Sequence, residues 1–424
     1  MRVLYYGDNL DILRKHIRDE SVDLIYLDPP FNTQRDYHLR VRVQSGDPAE
    51  PPVVAFTDIW KWNEEAYHQF MDRCSNERVR RLMLAFVESL GRNKMTAYLV
   101  MMAPRLVELH RVLRRTGSIY LHCDPTASHY LKVIMDAIWG ERYFRNQIVW
   151  MRTNAHSGIK RWASIHDILL FYTKSNTYTW NTVYTQYKPG YVDKGYPYAD
   201  ERGRYRLITL ARPTITPGNG GEAWKGVDPT RDGRRWVIPR LTADMVFGKE
   251  RSAKMTIQEK LDALEQAGFI VWRKGVKWPQ CKIYFDTNRG VCIKDVIDDI
   301  RRIWADAKER VGYPTQKPLA LLERIIQASS NEGDVVMDAF CGCGTTVVAA
   351  EKLGRTWIGI DNSHVAISLT INRISDMLGL VPGKHYEVVG DVPLMTTPQN
   401  THAARAKVCE DGVSEQLTLP LCAM

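Results

Sequence analysis

Near its carboxyl end the chain carries the sequence pattern of a buried strand, a glycine turn, a helix and a second strand in succession, the order of elements that builds α/β folds. The run Asp334 to Asp338 is typical of a buried strand and leads into DAFCGCGTT, Asp338 to Thr346. A helix follows to about Leu353, and a second strand, Thr356 to Asp361, ends in another acid. Strands that alternate with helices in this way predict a parallel sheet of the α/β class.

The turn between these strands contains Gly342 and Gly344, whose missing side chains let a strand turn sharply while its backbone approaches a ligand. Asp361 lies 19 residues after Gly342, at the end of the next strand. An acid at that position accepts hydrogen bonds from ribose hydroxyls in nucleoside-binding α/β folds. The combination predicts a nucleoside cofactor, although the glycines alone would fit tight helix–strand packing equally well.

A second unusual stretch, LDPPFNT at Leu27 to Thr33, follows the hydrophobic run Val22 to Tyr26. Two prolines remove two backbone donors and fix two φ angles, so the carbonyls near Asp28 and Pro29 are left as free acceptors. A rigid group of acceptors beside the ring of Phe31 suits a flat ligand that carries an amino group. The alternative is a tight turn after a strand.

The alternation of strands and helices covers residues 1–174 and returns after 300. Strands are predicted in the first part at Val3 to Asp8, Val22 to Leu27, Gly117 to His122, Gln147 to Met151 and Asp167 to Tyr172. Between about 175 and 300, Gly, Pro, Asn and Asp recur, so loops dominate and a separate irregular domain is predicted there.

Basic charge and aromatic rings are concentrated in the middle of the chain. The formal charge is +9, and residues 151–250 contain 16 Lys and Arg against 9 Asp and Glu. The same hundred residues contain 14 of the 42 aromatic side chains. Basic side chains attract phosphates and rings stack on bases, which favours a nucleic-acid partner. A solvated basic face above an aromatic core is the alternative.

Several classes of protein and site are excluded. The longest apolar stretch, Ala97 to Pro104, is too short for a membrane span, and the charged amino end has no signal-peptide pattern, so no membrane contact and a cytoplasmic location are expected. The eight cysteines form no C-x-x-C pair, so free thiols are expected and no metal site is predicted. His122, Cys123 and Asp124 are adjacent, but alternate residues of a strand face opposite sides, so we expect a structural role or packing beside the cofactor.

Four features taken together resemble a known family. They are LDPPFNT at 27–33, TQKP at 315–318, DAFCGCGTT at 338–346 and the terminal acid Asp361. They are similar to the motifs of the S-adenosylmethionine-dependent amino methyltransferases of DNA, in which a D-P-P-F or D-P-P-Y tetrad is catalytic and F-x-G-x-G binds the cofactor. The order of tetrad, basic insert and cofactor motif matches the circularly permuted beta group.

The resemblance covers about residues 1–380, with Ala339 a departure because the family more often has proline there. It implies a Rossmann-like α/β methyltransferase fold with a mostly parallel, circularly permuted sheet and an inserted, irregular target recognition domain. The expected segments are a catalytic half at 1–174, the recognition domain at 175–300, a cofactor-binding half at 301–392 and a tail at 393–424 that we expect to be disordered.

The resemblance also implies roles for particular residues. Asp28 and the carbonyl of Pro29 would accept hydrogen bonds from the target amino group, with Phe31 stacked on a base flipped out of the duplex. The catalytic tetrad is thus Asp28, Pro29, Pro30 and Phe31. The implied cofactor residues are Asp8, Thr315, Lys317, Asp338, Phe340, Gly342, Gly344 and Asp361. Arg234 and Arg235 of the basic insert are predicted to contact DNA.

The chemistry favours direct methyl transfer. An exocyclic amine is a poor nucleophile, and two fixed acceptors that hold both hydrogens favour a pyramidal nitrogen whose lone pair faces the sulfonium methyl. The predicted function is therefore site-specific transfer from S-adenosylmethionine to N6 of adenine in duplex DNA, because N4-cytosine enzymes more often begin the tetrad with serine. Alternatives are cytosine N4, then an RNA or protein-amide substrate, then a catalytically silent DNA-binding relative.

Two further partners are predicted. Gln416 to Leu421, QLTLPL, resembles the peptide by which bacterial proteins dock on the replication sliding clamp. The alternative is that its alternating leucines fold back onto the protein's own core. A homodimer is a further expectation.

Overall fold

A computed structural model describes residues 2–39, 53–154, 160–187, 190–213, 222–285, 290–304 and 306–391. The peptide predicted to bind the sliding clamp, in the tail 393–424, lies outside these residues. The chain divides into two compact units, one formed by residues 183–293 and the other by residues 1–182 together with 294–424.

The first part of the larger unit contains seven strands and five helices. The strands are β1 Arg2–Tyr6, β2 Val22–Leu27, β3 Asp36–Leu39, β4 Val53–Thr57, β5 Leu113–Cys123, β6 Phe144–Met151 and β7 His166–Thr173. The helices are α1 Asn9–His16, α2 Glu64–Arg73, α3 Glu77–Leu90, α4 Lys94–Val112 and α5 Pro125–Trp139. Each helix begins after an Asp or Asn whose side chain accepts backbone N–H groups of the first turn, as helix N-termini require.

The smaller unit has its own core and more regular structure than the loop-rich sequence predicts. Its strands are β8 Tyr184–Thr185, β9 Tyr198–Asp200, β10 Gly203–Thr209, β11 Ala211–Pro213, β12 Arg234–Trp236, β13 Ile270–Val271, β14 Gln280–Tyr284 and β15 Val291–Cys292. Its helices are α6 Tyr191–Gly195, α7 Arg240–Phe247, α8 Lys249–Lys254 and α9 Ile257–Gln266. Trp224 and Trp236 are buried in its core, so these two rings are not available to bases.

The chain then returns to the larger unit. It adds strands β16 Val296–Ile297, β17 Val335–Asp338, β18 Thr356–Asp361 and β19 Glu387–Val389, and helices α10 Leu319–Ser329, α11 Thr345–Lys352 and α12 His364–Leu378. The strands of both parts form one nine-stranded sheet in the order β16, β6, β7, β5, β2, β17, β18, β1, β19.

This sheet confirms the predicted mostly parallel α/β fold. Strand β7 runs antiparallel to β5 and β6, whereas the other neighbouring strands are parallel. Buried strand residues alternate between two hydrophobic cores, one shared with α1 to α5 and the other with α10 to α12. Strands β2 and β17 are neighbours, with Leu24 opposite Val336, although the smaller unit lies between them in sequence. The carboxyl ends of both strands therefore lie at one edge of the sheet, where α/β folds bind ligands.

Candidate functional site

Four acids lie at or just after the carboxyl ends of parallel strands. Asp8 follows β1, Asp28 follows β2, and Asp338 and Asp361 end β17 and β18. All four line one cavity of about 440 Å³. A volume of this order falls within the range of small-molecule sites.

Nearly every predicted site residue lies at this cavity. The catalytic tetrad lines it, as do the cofactor residues Asp8, Thr315, Lys317, Asp338, Phe340, Gly342 and Asp361. Gly344 does not line it. The backbone at Gly344 has a φ of +72°, and a Cβ there would lie 2.6 Å from Cγ2 of Thr370 on α12. Close helix packing and a left-handed conformation are therefore enough to explain this glycine, and the cofactor role assigned to Gly344 from the sequence stays a prediction.

Gly342 has a different reason to be glycine. Its φ is +53°, a Cβ would lie 3.2 Å from the ring of Tyr313, and its N–H donates to Oδ2 of Asp361 over 2.8 Å. Oδ1 of Asp361 accepts the N–H of Ser363 over 2.9 Å. The turn and the terminal acid are thus bonded directly to each other, and the Asp361 carboxylate, which also interacts with the backbone of Asn362, keeps capacity for a hydroxyl donor because a carboxylate has about four acceptor sites.

Burial perturbs the acids beside the turn. Asp338 is nearly inaccessible and accepts the hydroxyl of Thr346 over 2.5 Å and the N–H of Phe340 over 3.0 Å. Burial raises the pKa of Asp338 to about 7 and that of Asp361 to about 6. Acids with raised pKa values in a concave site are typical of functional positions.

Asp8 is both a helix cap and a cavity residue. Its Oδ1 accepts the N–H of Leu10 over 2.8 Å at the start of α1, and its Oδ2 lies 2.6 Å from the guanidinium of Arg105. The capping role accounts for an acid at this position without any ligand. The cofactor role assigned to Asp8 from the sequence stays a prediction.

The tetrad loop is held by a residue that the motifs did not reveal. Asp58 is completely buried, and it accepts the N–H groups of Asn32 and Thr33 over 2.8 and 2.7 Å. It also accepts the hydroxyl of Thr33 over 2.6 Å and the indole N–H of Trp60 over 2.9 Å. Four donors on one carboxylate fix the backbone just after Phe31. No feature of the sequence around Asp58 signals this role.

Within the tetrad, Asp28 forms an ion pair with Lys317 of the TQKP stretch, through Oδ2. Lys317 is nearly buried, its ammonium lies 5.2 Å from the centre of the Phe31 ring, and it donates to the carbonyl of Thr315 over 3.3 Å. Thr315 has a φ of +63°, which is strained for a β-branched residue. The ammonium of Lys317 thus lies where the sequence predicts the target amino group, at the Asp28 carboxylate and over the ring of Phe31.

Aromatic rings form a second wall that the sequence reasoning did not identify. The rings of Tyr37 and Phe56 stack with centres 4.6 Å apart, and that of Tyr313 stacks on Phe56 at 6.1 Å. All three line the cavity. Stacked rings beside buried acceptors suit the flat base of a nucleoside.

The structure separates the adjacent residues His122, Cys123 and Asp124. Cys123 faces the opposite side of the sheet, as alternation predicts, and Asp124 caps α5. His122, however, is buried next to the tetrad, with Nδ1 4.0 Å from Oδ1 of Asp28. Within the described parts of the chain, no cluster of His, Cys, Asp or Glu could hold a metal ion. No helix in those same parts is long and apolar enough to cross a membrane.

In the smaller unit, the predicted DNA contacts lie on strand β12. Arg234 donates to the carbonyl of Ala211 over 3.0 Å and lies 5.7 Å from the ring centre of Trp278, so its guanidinium helps to hold the unit together. Arg235 is half-buried and pairs across the strands with Arg212. A contact of either residue with DNA stays a prediction.

Comparison with known proteins defines the class of this chain. Residues 22–372 match the family model described as DNA methylase, which groups N6 and N4 methyltransferases. The match covers both the tetrad and the cofactor turn, and the chain belongs to this family. The methyl donor of the family is S-adenosylmethionine, as the motifs predicted, and the buried acids, glycine turn and stacked rings of the cavity fit that nucleoside.

The relatives are modification enzymes. The chain is 28% identical over 384 residues to the Type II methyltransferase M.EcaI of Enterobacter cloacae, covering 90% of this chain and 71% of the relative. It is 27% identical over 408 residues to the StyLTI Mod subunit, part of a Type III restriction-modification enzyme of Salmonella typhimurium, covering 88% of this chain and 55% of the relative. A solved structure, M1.HpyAVI in complex with SAM, is similar at a TM-score of 0.40 and 14% identity, covering 88% of this chain and 99% of that one.

Proposed function

We propose that this protein transfers the methyl group of S-adenosylmethionine to N6 of adenine in duplex DNA. The observation that carries the choice of base is the aspartate at the first position of the tetrad, Asp28, where N4-cytosine enzymes of the family more often have serine. Asp28 lies in the cavity beside Phe31 and Lys317, which supports a role for its carboxylate as the acceptor of an amino hydrogen.

The side chains of the cavity support a direct transfer. When bound, S-adenosylmethionine supplies an electrophilic methyl group on a sulfonium. The flipped adenine stacks on Phe31, and its amino group takes the place that the ammonium of Lys317 occupies on Oδ2 of Asp28. Asp28 and the carbonyl of Pro29 then accept the two amino hydrogens and turn the lone pair towards the methyl group. Because Asp58 fixes the loop, these acceptors need little reorganisation during the reaction.

DNA recognition is assigned in this proposal to residues 183–293. This unit contains 20 Lys and Arg against 12 Asp and Glu, and exposed rings that include Tyr184, Tyr191 and Trp272. In the larger unit, Trp162 is 97% exposed and follows Lys160 and Arg161 in the connection between β6 and β7. That connection leaves the sheet at the edge where the cavity lies, since β6 ends and β7 begins there. Exposed rings beside basic side chains are suited to stacking on bases.

The test is to methylate unmodified genomic DNA with tritiated S-adenosylmethionine, digest it to nucleosides and separate these by liquid chromatography with mass detection. N6-methyldeoxyadenosine as the labelled product is expected. Label in N4-methyldeoxycytidine would overturn the choice of base but keep the chemistry. Parallel reactions contain total RNA or total protein in place of the DNA, and label in RNA or protein only, or none at all, would overturn the substrate class. The sliding-clamp peptide and the homodimer stay predictions from the sequence.

A further inference from the structure

A tryptophan in the connection between β6 and β7 is exposed over nearly its whole surface. Trp162 is 97% exposed, whereas the next most exposed tryptophan of the described structure, Trp304, is 59% exposed. Lys160 and Arg161, which directly precede Trp162, are exposed as well. The core of the larger unit does not use this ring, and the cations beside it favour a partner that carries phosphates.

Backbone hydrogen bonds fix the root of this connection at the ends of β6 and β7. The N–H groups of Arg152 and Thr153 donate to the carbonyl of Ile165 over 3.0 and 3.3 Å, so the two arms of the hairpin stay together just beyond the sheet. Trp162 is three residues from Ile165, and at most about 11 Å of chain separates their Cα atoms. The ring is therefore held close to the edge of the sheet that carries the cavity.

A short series of side-chain contacts joins that root to the catalytic tetrad. Asp167, the second residue of β7, has Oδ1 2.9 Å from Nε of Arg152 and Oδ2 3.4 Å from Nε2 of His122. The ring of His122 in turn lies 4.0 Å from Oδ1 of Asp28. Duplex DNA that delivers an adenine to Asp28 thus has to lie across the edge of the sheet from which the hairpin projects.

A second connection adds a ring and two cations at the same edge. Strand β16 is parallel to β6, so the chain that follows β16 leaves the sheet where the hairpin does. Arg301 and Arg302 are exposed there, and the N–H of Arg302 donates to the carbonyl of Arg152 over 3.3 Å. The guanidinium of Arg302 lies 5.7 Å from the ring centre of Trp304 and covers one face of that ring. Among the described residues, no cation or ring packs on Trp162 in this way, so both of its faces are open.

Base flipping creates a need that an open ring can meet. When the target base leaves the duplex, the neighbouring base pairs lose a stacking partner and the opposite base loses its pair. A flat side chain that enters the gap restores part of the stacking and prevents the target base from returning. Aromatic rings stack on any base, and cations beside them hold the phosphates of the strand.

We propose that Trp162 fills the gap that the flipped adenine leaves in the duplex, while the cations of the two connections bind phosphates on either side. Those cations are Lys160, Arg161, Arg301 and Arg302. Trp162 is a positioning residue, because it holds the target base in the cavity without touching the reacting atoms. The inference rests on the proposed function, since it requires a base that leaves the duplex.

The first experiment compares a paired with a mismatched target. The methylated position is mapped by sequencing genomic DNA from cells that express the protein, and synthetic duplexes then carry the target adenine opposite thymine or opposite cytosine. Trp162→Ala should lower the single-turnover rate about 10–100-fold on the paired duplex, the usual range for a ring that stacks on a base. The loss should be much smaller on the mismatched duplex, where no Watson–Crick pair has to be opened. Trp162→Phe should recover most of the rate, because a phenyl ring also stacks.

The second experiment measures binding without methyl transfer. A duplex with an abasic nucleotide at the mapped position has the gap but no base to flip, and its affinity is measured by fluorescence anisotropy with cofactor omitted. Wild type should bind this duplex more tightly than the paired one. Trp162→Ala should lose about 10–100-fold in affinity for the abasic duplex, with affinity for cofactor unchanged. Arg161→Gln and Arg301→Gln should each lower the slope of DNA affinity against salt concentration by about one phosphate contact.

The matched control is Trp180→Ala. Trp180 is 46% exposed and does not line the cavity, and the N–H of the preceding Thr179 donates to the carbonyl of Thr116, near the amino end of β5 and away from the cavity edge. This variant should keep the wild-type rates and affinities. Trp162→Ala should fold as wild type does, because so exposed a ring has little packing to lose.

Two results would overturn the role of Trp162 and leave the proposed function standing. One is a Trp162→Ala protein with the wild-type rate on the paired duplex, and the other is an equal loss of rate on the paired and mismatched duplexes. If no methylated amino base is found in the genomic DNA, it is the proposed function that fails.

Discussion

Replacement of Asp58 by asparagine tests whether the tetrad loop is held in place before substrate binds. The side chain of Asp58 is completely buried, and each of its oxygens accepts two hydrogen bonds. Asparagine has nearly the same shape, so the substitution leaves packing unchanged. Whichever oxygen becomes the amide nitrogen, however, an N–H group then faces two donors, and two hydrogen bonds are lost.

The size of the effect follows from those bonds. Hydrogen bonds to a charged group contribute about 1.5–3 kcal/mol each, so two of them correspond to about 3–6 kcal/mol of loop stability. About 1.4 kcal/mol corresponds to a tenfold change in rate, which gives a loss of about 10²–10⁴ if the loop must re-form in each turnover. The hydroxyl of Thr33 can rotate and accept from the new amide. We therefore expect a loss near 10²-fold.

The assay is single-turnover methylation of DNA with saturating cofactor, alongside calorimetric measurement of cofactor affinity. Asp58→Asn should lose far more in rate than in affinity, because the bonds hold Asn32 and Thr33 rather than the glycine turn. Asp36→Asn, an exposed substitution at the start of β3, is the matched control and should behave as wild type. A folded Asp58→Asn protein within about threefold of the wild-type rate would refute the claim that this carboxylate preorganises the loop.

Three further predictions concern stability and DNA binding. Gly344→Ala should lower the free energy of unfolding in urea by about 1–3 kcal/mol more than Gly379→Ala does. Both glycines have a positive φ, but only Gly344 lacks room for a Cβ, so equal losses would contradict this explanation. Burial raises the pKa of Asp338 to about 7, so the folded state binds a proton that the unfolded state has lost, and stability should fall as pH rises from about 4 to about 7. Asp338→Asn should weaken that dependence and leave the part due to Asp361, whose pKa is raised to about 6; a profile like wild type would argue against it. Arg235→Gln should lower the slope of DNA affinity against salt concentration by the amount expected for about one phosphate contact, without loss of stability. Arg234→Gln should lower the slope and also the melting temperature, because Arg234 donates to the carbonyl of Ala211. An unchanged salt slope would place the contact elsewhere.

The cavity shows how far sequence reasoning reaches. Hydrophobic runs that end in an acid predicted the strands before Asp28, Asp338 and Asp361, and the carboxyl ends of parallel strands necessarily share an edge. That rule was enough to bring acids from distant parts of the chain into one site. It did not give the strand order, nor the reversed direction of β7, because hydrophobic patterning is the same for either direction of a buried strand.

The two motif glycines illustrate a second limit. Gly342 and Gly344 are indistinguishable in sequence, and both were predicted to let the backbone approach the cofactor. In the structure only Gly342 lines the cavity, whereas Gly344 is required by its positive φ and by the side chain of Thr370. The partner that excludes a Cβ at Gly344 comes from a helix later in the chain, and local sequence carries no information about which helix packs there.

His122 shows why the groups that lie behind the motif were the hardest to identify. Alternation along β5 correctly placed its side chain on the face opposite Cys123, but the occupants of that face come from other strands. Tyr26 lies beside His122 because β2 pairs with β5 on one side. Asp167 lies beside it because β7 pairs with β5 on the other side and runs in the opposite direction. Neither pairing is encoded near His122. The sequence gives this histidine only a packing role. The strand order shows that, within the described structure, its imidazole lies between the tetrad carboxylate of Asp28 and the buried carboxylate of Asp167.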